Sequence, residues 1–116
     1  LKCFSGNGAI PLPALTMGAV GTVDAPLSLA PWHYTELHDA WERGDLENAQ
    51  RLQDGAKEIV DVVRMFGAPA AVTKMILSER LGMDMGRPIP PVADLTDEQR
   101  PIVMAAAKKA GLLTTP

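Results

Sequence analysis

Apolar positions fall into two kinds of run along this chain. Near the start they are short and continuous: Leu1–Phe4 and Ala19–Val23, each the length of a buried strand. Ser5-Gly6-Asn7-Gly8 closes the first run with glycines around an asparagine, a tight-turn signal. Between the two runs, Ile10–Met17 carries Leu12, Ala14 and Leu15 at helical spacing. Pro11 and Pro13 suit its first turn, where a missing N–H costs little, and Gly18 suits the position just past its end. Strand, helix and strand in this order predict a βαβ unit with parallel strands.

Beyond Val23 the period becomes that of helices. Pro31–Arg43 has Trp32, Leu37 and Trp41 as its apolar positions, and Gly44-Asp45 breaks it, with Asp45 as N-cap of the next helix. Leu46, Ala49, Leu52, Ala56, Ile59, Val60, Val63 and Phe66 then recur as one long stripe. Gly55 inside that stripe either weakens the helix by roughly 1 kcal/mol relative to Ala or marks a close contact. After Gly67-Ala68-Pro69, the residues Ala71, Val72, Met75, Ile76 and Leu81 predict a further helix, stopped at Gly82. Pro88, Pro90 and Pro91 force extended chain. Thr96-Asp97-Glu98-Gln99 reads as a capping box. The helix it opens runs to about Ala110, with Ile102, Val103 and Ala106 inward and Lys108-Lys109 at its negative end. Two parallel strands need neighbours and cover on both faces. The first part of the chain therefore predicts the closing turns of an α/β sheet or barrel.

Composition narrows the function classes. Hydrophobic residues make up 47% and charged residues 22%, ordinary for a globular protein and against disorder. The net charge is −3 and Lys and Arg are scattered, so no nucleic-acid partner is expected. The longest apolar run, Ile102–Ala107, falls far short of the roughly 20 residues of a membrane span, so no membrane partner is expected either. The lone Cys3 leaves no internal disulfide or cysteine zinc site and fits a reducing, cytoplasmic location. His33 and His38 miss the one-turn spacing of a helical metal pair and read as surface or interface residues, so no metal is expected. The chain opens on Leu1 rather than Met, as a strand with no polar lead-in, which predicts a piece of a longer polypeptide.

Several features line up in order. Phe4-Ser5-Gly6-Asn7 ends a strand, and Leu15-x-x-Gly18-Ala19-x-Gly21 leads into the next. Gly44-Asp45-x-x-x-Ala49 joins two helices, followed by Leu81-Gly82-x-x-x-Gly86-Arg87-Pro88-x-x-Pro91, the Asp94–Gln99 helix start and Ala110-Gly111-Leu112-Leu113. As an ordered set they resemble the C-terminal part of the dihydrodipicolinate synthase / N-acetylneuraminate lyase family, class I aldolase-like (β/α)8 barrels with a helical extension. The resemblance implies an α/β fold: a partial barrel of its last two strands, followed by an extension of about three helices. Residues 1–43 would be the last two βα units and 44–116 the extension.

It further implies a lyase or aldolase that takes pyruvate, or a 2-oxo acid that yields it, as a Schiff base on a lysine, with no other cofactor. Partners would be a 2-oxo acid, an aldehyde and further copies of the same chain, as a dimer or homotetramer. The Schiff-base lysine would lie upstream of Leu1; Lys2, Lys57, Lys74, Lys108 and Lys109 do not fill its place, and this segment alone would be inactive. What it retains would be pocket wall. Gly6 lets the backbone approach the keto acid, Val23 turns its carbonyl to the adduct, and Asn7 and Gly8 sit where the aldehyde partner is chosen. Asp24 occupies a position where serine is common, and reads either as a substrate contact or as a cap of the next segment. Asn7-Gly8-Ala9 replaces the acids of many synthases, and Ala68 replaces an asparagine usual in lysine-pathway enzymes. A second reading, from another class, is a stand-alone helical binding or assembly module without catalysis; it predicts no bare apolar edges at Leu1–Phe4 and Val20–Val23.

Overall fold

The computed structural model describes residues 1–116, which divide into two units, Leu1–Val60 and Asp61–Pro116. The first unit contains α1 (Pro11–Thr16), α2 (Pro26–Leu29), α3 (Pro31–Glu42) and most of α4 (Leu46–Val63). The second contains the end of α4, a 3-10 turn at Met65–Gly67, α5 (Pro69–Leu81) and α6 (Gln99–Lys109). No helix is long and apolar enough to cross a membrane.

The expected α/β character is met only in part. The segments read as strands are extended and parallel, yet they pair through a single bridge, Ser5 with Thr22, and neither runs as a strand. Ser5 N–H donates to the Gly21 carbonyl at 2.9 Å and Val23 N–H to the Ser5 carbonyl at 2.8 Å. A register continued from that bridge would have Gly21 donate to Cys3. Val20 does so instead, at 2.8 Å, a slip of one residue that breaks the ladder. The Phe4 ring accounts for the glycine there, since a Cβ on Gly21 would lie 3.1 Å from it. With one partner each, the segments leave Phe4 62% and Val23 66% exposed.

In the first unit the helices follow the expected boundaries, with α2 as an unexpected extra turn. Leu12 and Leu15 of α1 and Leu29 of α2 are buried, and both helices pack on α3. The inward face of α3 is Tyr34, Leu37 and Ala40 rather than the expected Trp32, Leu37 and Trp41; both tryptophans are half-buried. Gly44, at φ 73°, takes the left-handed conformation that turns α3 into α4, and Asp45 N–H reaches back to the Ala40 carbonyl at 2.9 Å. Asp45 caps α4 as expected, accepting from Asn48 N–H at 3.2 Å. The stripe holds from Ala49 to Val63. Leu46 at its start is 52% exposed, and Phe66 leaves the stripe because α4 ends at Val63 and Phe66 adopts φ 57°.

In the second unit, Ala71, Val72 and Ile76 form the buried face of α5, which packs on α6. Leu81, expected inward, is 55% exposed beside the left-handed Gly82 stop. Of the inward trio expected on α6, Val103 is fully buried, Ile102 is 52% exposed and Ala107 takes Ala106's place. The capping box is reciprocal: Gln99 N–H donates to Thr96 Oγ1 at 3.3 Å, and Thr96 N–H to Gln99 Oε1 at 3.0 Å. The Thr96 hydroxyl, and then the backbone amide of Glu98 itself, hold the Glu98 carboxyl below its ordinary 4.5. A lowered folded value means that this contribution is present above the unfolded value and lost as pH falls.

Two tests follow from this packing. The Glu98 side chain will titrate with a midpoint below 4.5 by NMR, and Thr96→Ala will raise that midpoint, because the hydroxyl is the larger cause. Gly55 is the close contact, not merely a weak point: a Cβ there would lie 2.6 Å from His33 Cε1. His33 Nε2 is hydrogen-bonded to the Leu52 carbonyl at 2.7 Å and its ring meets Tyr34 edge-on, so it yields only by losing that bond. Gly55→Ala gains about 1 kcal/mol of helix propensity but forces a repacking that costs about 1–3 kcal/mol. Urea unfolding will therefore show a net loss, and in a His33→Ala background the same substitution will become stabilising; the same sign in both backgrounds would exclude the contact.

Candidate functional site

The residues expected at a pocket edge converge. Parallel pairing of Ser5 with Thr22 puts both segments' C-terminal ends on the same side, so Gly6 and Asn7 stand beside Val23 and Asp24. Gly6 and Val23 are exposed, and Asn7 and Asp24 half-buried. The loop that follows folds on itself first. Asn7 Oδ1 accepts from Ala9 N–H at 3.0 Å, and Ser5 Oγ accepts from Asn7 N–H at 3.3 Å, which are local turns of the kind Asn and Ser favour.

Gly8 is the node of this loop. Its N–H donates to Asp24 Oδ2 at 2.7 Å, and its carbonyl accepts from the Tyr34 hydroxyl at 3.0 Å. A Cβ on Gly8 would meet Tyr34 Oη at 3.1 Å, Asp24 Oδ2 at 3.2 Å and Pro26 Cγ at 3.3 Å, so the site is shaped for glycine. The other Asp24 oxygen accepts from Ala25 N–H at 2.8 Å. Both Asp24 oxygens are thus engaged with backbone amides, one in the loop and one at the start of the next segment.

Two residues that hold the loop were missed from sequence. Tyr34, on α3, bonds across a sequence gap of 26, and Gln53, on α4, across gaps of 41 and 44. Gln53 Nε2 donates to the Ala9 carbonyl at 2.7 Å and its Oε1 accepts from Leu12 N–H at 2.9 Å, one of the amides left over at the start of α1. No spacing rule connects residues so far apart; the only hint was the position of Gln53 beside Leu52 on the edge of the apolar stripe.

Other candidate chemistry lies elsewhere. Lys74 Nζ donates to the Met85 carbonyl at 2.9 Å, tying the loop after α5 back onto that helix. Arg87 pairs with Asp94 at 3.7 Å, and Arg100 reaches the same carboxylate at 3.2 Å. His38, Asp39 and Glu42 bring possible metal-ligand atoms within 4.8 Å of one another on α3, but on a solvated face. His33, read as a surface or interface histidine, is instead an internal tie to the Leu52 carbonyl. A cleft of about 300 Å³ lies among Pro11, Leu15, Thr22, Leu27, Tyr34 and His38, and the four pocket-edge residues do not line it.

Residues 1–110 match the Dihydrodipicolinate synthetase family model. Over 95% of its length the chain is 29% identical to the 4-hydroxy-tetrahydrodipicolinate synthase of Methanopyrus kandleri, and it covers 36% of that protein. It is 30% identical over 97% of its length to the enzyme of the same name from Bifidobacterium animalis, covering 37% of it. In structure, 97% of the chain superposes on the sialic acid aldolase of Ruminococcus gnavus with a TM-score of 0.87 and 26% identity, covering 38% of that chain. The dihydrodipicolinate synthase of Bacillus anthracis gives 0.81 and 26% over 92% of the chain, and 36% of its own. These structural neighbours are (β/α)8 barrels. The chain thus spans a little over a third of the length of the relatives it matches.

Removing the Asp24 carboxylate will loosen the loop. Asp24→Ala will speed hydrogen exchange at the Gly8 amide by about 10-fold or more, the loss of roughly one charge-assisted hydrogen bond. Asp24→Asn keeps one acceptor oxygen and will show an intermediate rate. Equal exchange in all three proteins would mean that the bond carries no weight.

Proposed function

The chain belongs to the dihydrodipicolinate synthetase family, and from that premise we propose that it is the C-terminal part of a pyruvate-dependent lyase or aldolase. In this reading residues 1–43 are the last two βα units of a (β/α)8 barrel and 44–116 its helical extension. The observation that carries it is the gathering of Gly6, Asn7, Val23 and Asp24 at the C-terminal ends of two parallel segments. That face is where such barrels hold their substrates. The exposure of Phe4, Val20 and Val23 supports the reading over a stand-alone module, because these are apolar edges that further strands would cover.

The chemistry belongs to a lysine outside this segment; one solved form of the Ruminococcus gnavus aldolase is a mutant of its catalytic lysine. In the parent enzyme the lysine amine condenses with the pyruvate carbonyl, releasing water and leaving an iminium. Loss of a methyl proton then gives an enamine whose carbon attacks an aldehyde, and hydrolysis returns the lysine. The present residues shape the wall: the Gly6 backbone approaches the keto acid and the Val23 carbonyl faces the adduct. Asn7 and Gly8 stand at the positions that help choose the aldehyde, and the parent is of the 4-hydroxy-tetrahydrodipicolinate synthase type or a related 2-oxo acid aldolase. The parent works in the cytoplasm as a homo-oligomer, with no cofactor beyond the covalently held pyruvate.

Borohydride reduction tests this directly. The full-length protein carrying this segment will give a pyruvate adduct of one lysine by mass spectrometry, and the isolated 116-residue chain will give none. An adduct on Lys2, Lys57, Lys74, Lys108 or Lys109 would overturn the assignment.

A further inference from the structure

We propose that Gln53, on α4 and outside the pocket wall, is a positioning residue for the keto-acid side of the site. It clamps both ends of the segment that joins the pocket-edge loop to α1. The inference rests on the functional reading above, in which the Gly6 backbone borders the bound keto acid.

The geometry is specific to a carboxamide. The Ala9 carbonyl needs a donor and receives one from Nε2 at 2.7 Å; the Leu12 amide needs an acceptor and finds Oε1 at 2.9 Å. An amide presents a donor and an acceptor side by side, whereas a carboxylate or an ammonium presents only one kind. Pro11 has no N–H and Ile10 N–H turns back to the Asn7 carbonyl, so Leu12 N–H is the first amide of α1 that reaches outside its own turn. The loop is thereby held from three elements. Asp24 and Tyr34 hold Gly8, and Gln53 holds the residue after it. Gln53 itself is fixed by its helix, since the adjacent Leu52 is buried and its carbonyl is bonded to His33. Without the clamp, Ala9 and Leu12 exchange fixed partners for water, and the Gly6–Ala9 backbone samples positions in which it no longer borders the keto acid.

The experiment uses the full-length protein with pyruvate as the probe and borohydride trapping as the readout. Gln53→Met keeps the bulk and removes both polar atoms. It will raise the pyruvate concentration for half-maximal trapping by about 10-fold, the order expected when a binding wall loses its alignment, while the maximal trapped fraction stays the same. Gln53→Glu provides the control that misfolding cannot mimic. Its ionised form offers no donor to the Ala9 carbonyl, but its protonated form offers O–H there and keeps an acceptor for Leu12. Facing a carbonyl favours the neutral form and raises the carboxyl value, so the clamp is present at low pH and lost as pH rises. Half-saturation will therefore approach wild type as pH is lowered toward the ordinary glutamate range, about 4.3, and match that of Gln53→Met at about pH 8, reversibly in one sample. Asp24 and Tyr34 on Gly8, His33 on Leu52 and the upstream lysine are common to all three proteins, and dividing by the Gln53→Met profile removes their titrations. Identical half-saturation in the three proteins, or a Gln53→Glu profile parallel to that of Gln53→Met, would overturn the proposal. A wild-type protein that traps no pyruvate would instead overturn the functional reading beneath it.

Discussion

The structure around the pocket-edge loop depends on the pair of hydrogen bonds at Gly8. A residue with no side chain has its amide on a carboxylate at 2.7 Å and its carbonyl on a phenol at 3.0 Å. Each bond to a neutral group is worth about 0.5–1.5 kcal/mol net, and one to a charged group about 1.5–3 kcal/mol. That sum is modest for a fold but large for a short loop whose other ties are its own turns at Ser5 and Asn7 and the Gln53 side chain. The bonds also explain the positions of two elements. Asp24 ends the second extended segment, and Tyr34 sits on the buried face of α3, so satisfying Gly8 fixes the end of one and the rotation of the other.

The two extended segments contribute little by themselves. Three backbone bonds, one out of register, do not hold a parallel pair whose outer faces carry Phe4 and Val23 in water. What keeps them aligned is polar contact at their ends and the burial of Leu12, Leu15, Leu29 and Leu37 behind them. The apolar core thus supplies stability while the polar bonds supply registration, the division expected where burial is non-directional and hydrogen bonds are not.

Local rules made much of this legible in the sequence. The helix boundaries at Pro11, Pro31, Gly44, Pro69, Gly82 and Gly111, the Asp45 cap and the Thr96–Gln99 box depend on neighbouring residues, and each appears where local chemistry puts it. The misses have a common cause. Which face of α3 turns inward, why Phe66 leaves the stripe, and why two strand-like runs make only one bridge are decided by partners distant in sequence or by partners that two segments lack. Periodicity identifies that a helix has an apolar side, and cannot distinguish Trp41 from Ala40 when an alanine permits the closer approach. At the candidate site, the resemblance singled out Gly6, Asn7, Val23 and Asp24, which the structure brings side by side, whereas Tyr34 and Gln53 were not legible, because they act on backbone atoms and leave no spacing pattern.

Fixing the loop through its backbone has a consequence for which side chains it can carry. The bonds from Asp24, Tyr34 and Gln53 all reach main-chain groups of Gly8, Ala9 and Leu12, so they are indifferent to the side chains at positions 7 and 9. Position 8 is the exception, since Tyr34, Asp24 and Pro26 leave no room for a Cβ without a shift. An acid at position 8 therefore requires a different arrangement of position 24, where the carboxylate would face another carboxylate at close range. The Asp24 carboxylate is itself turned inward, with one oxygen on the Gly8 amide and the other on the Ala25 amide.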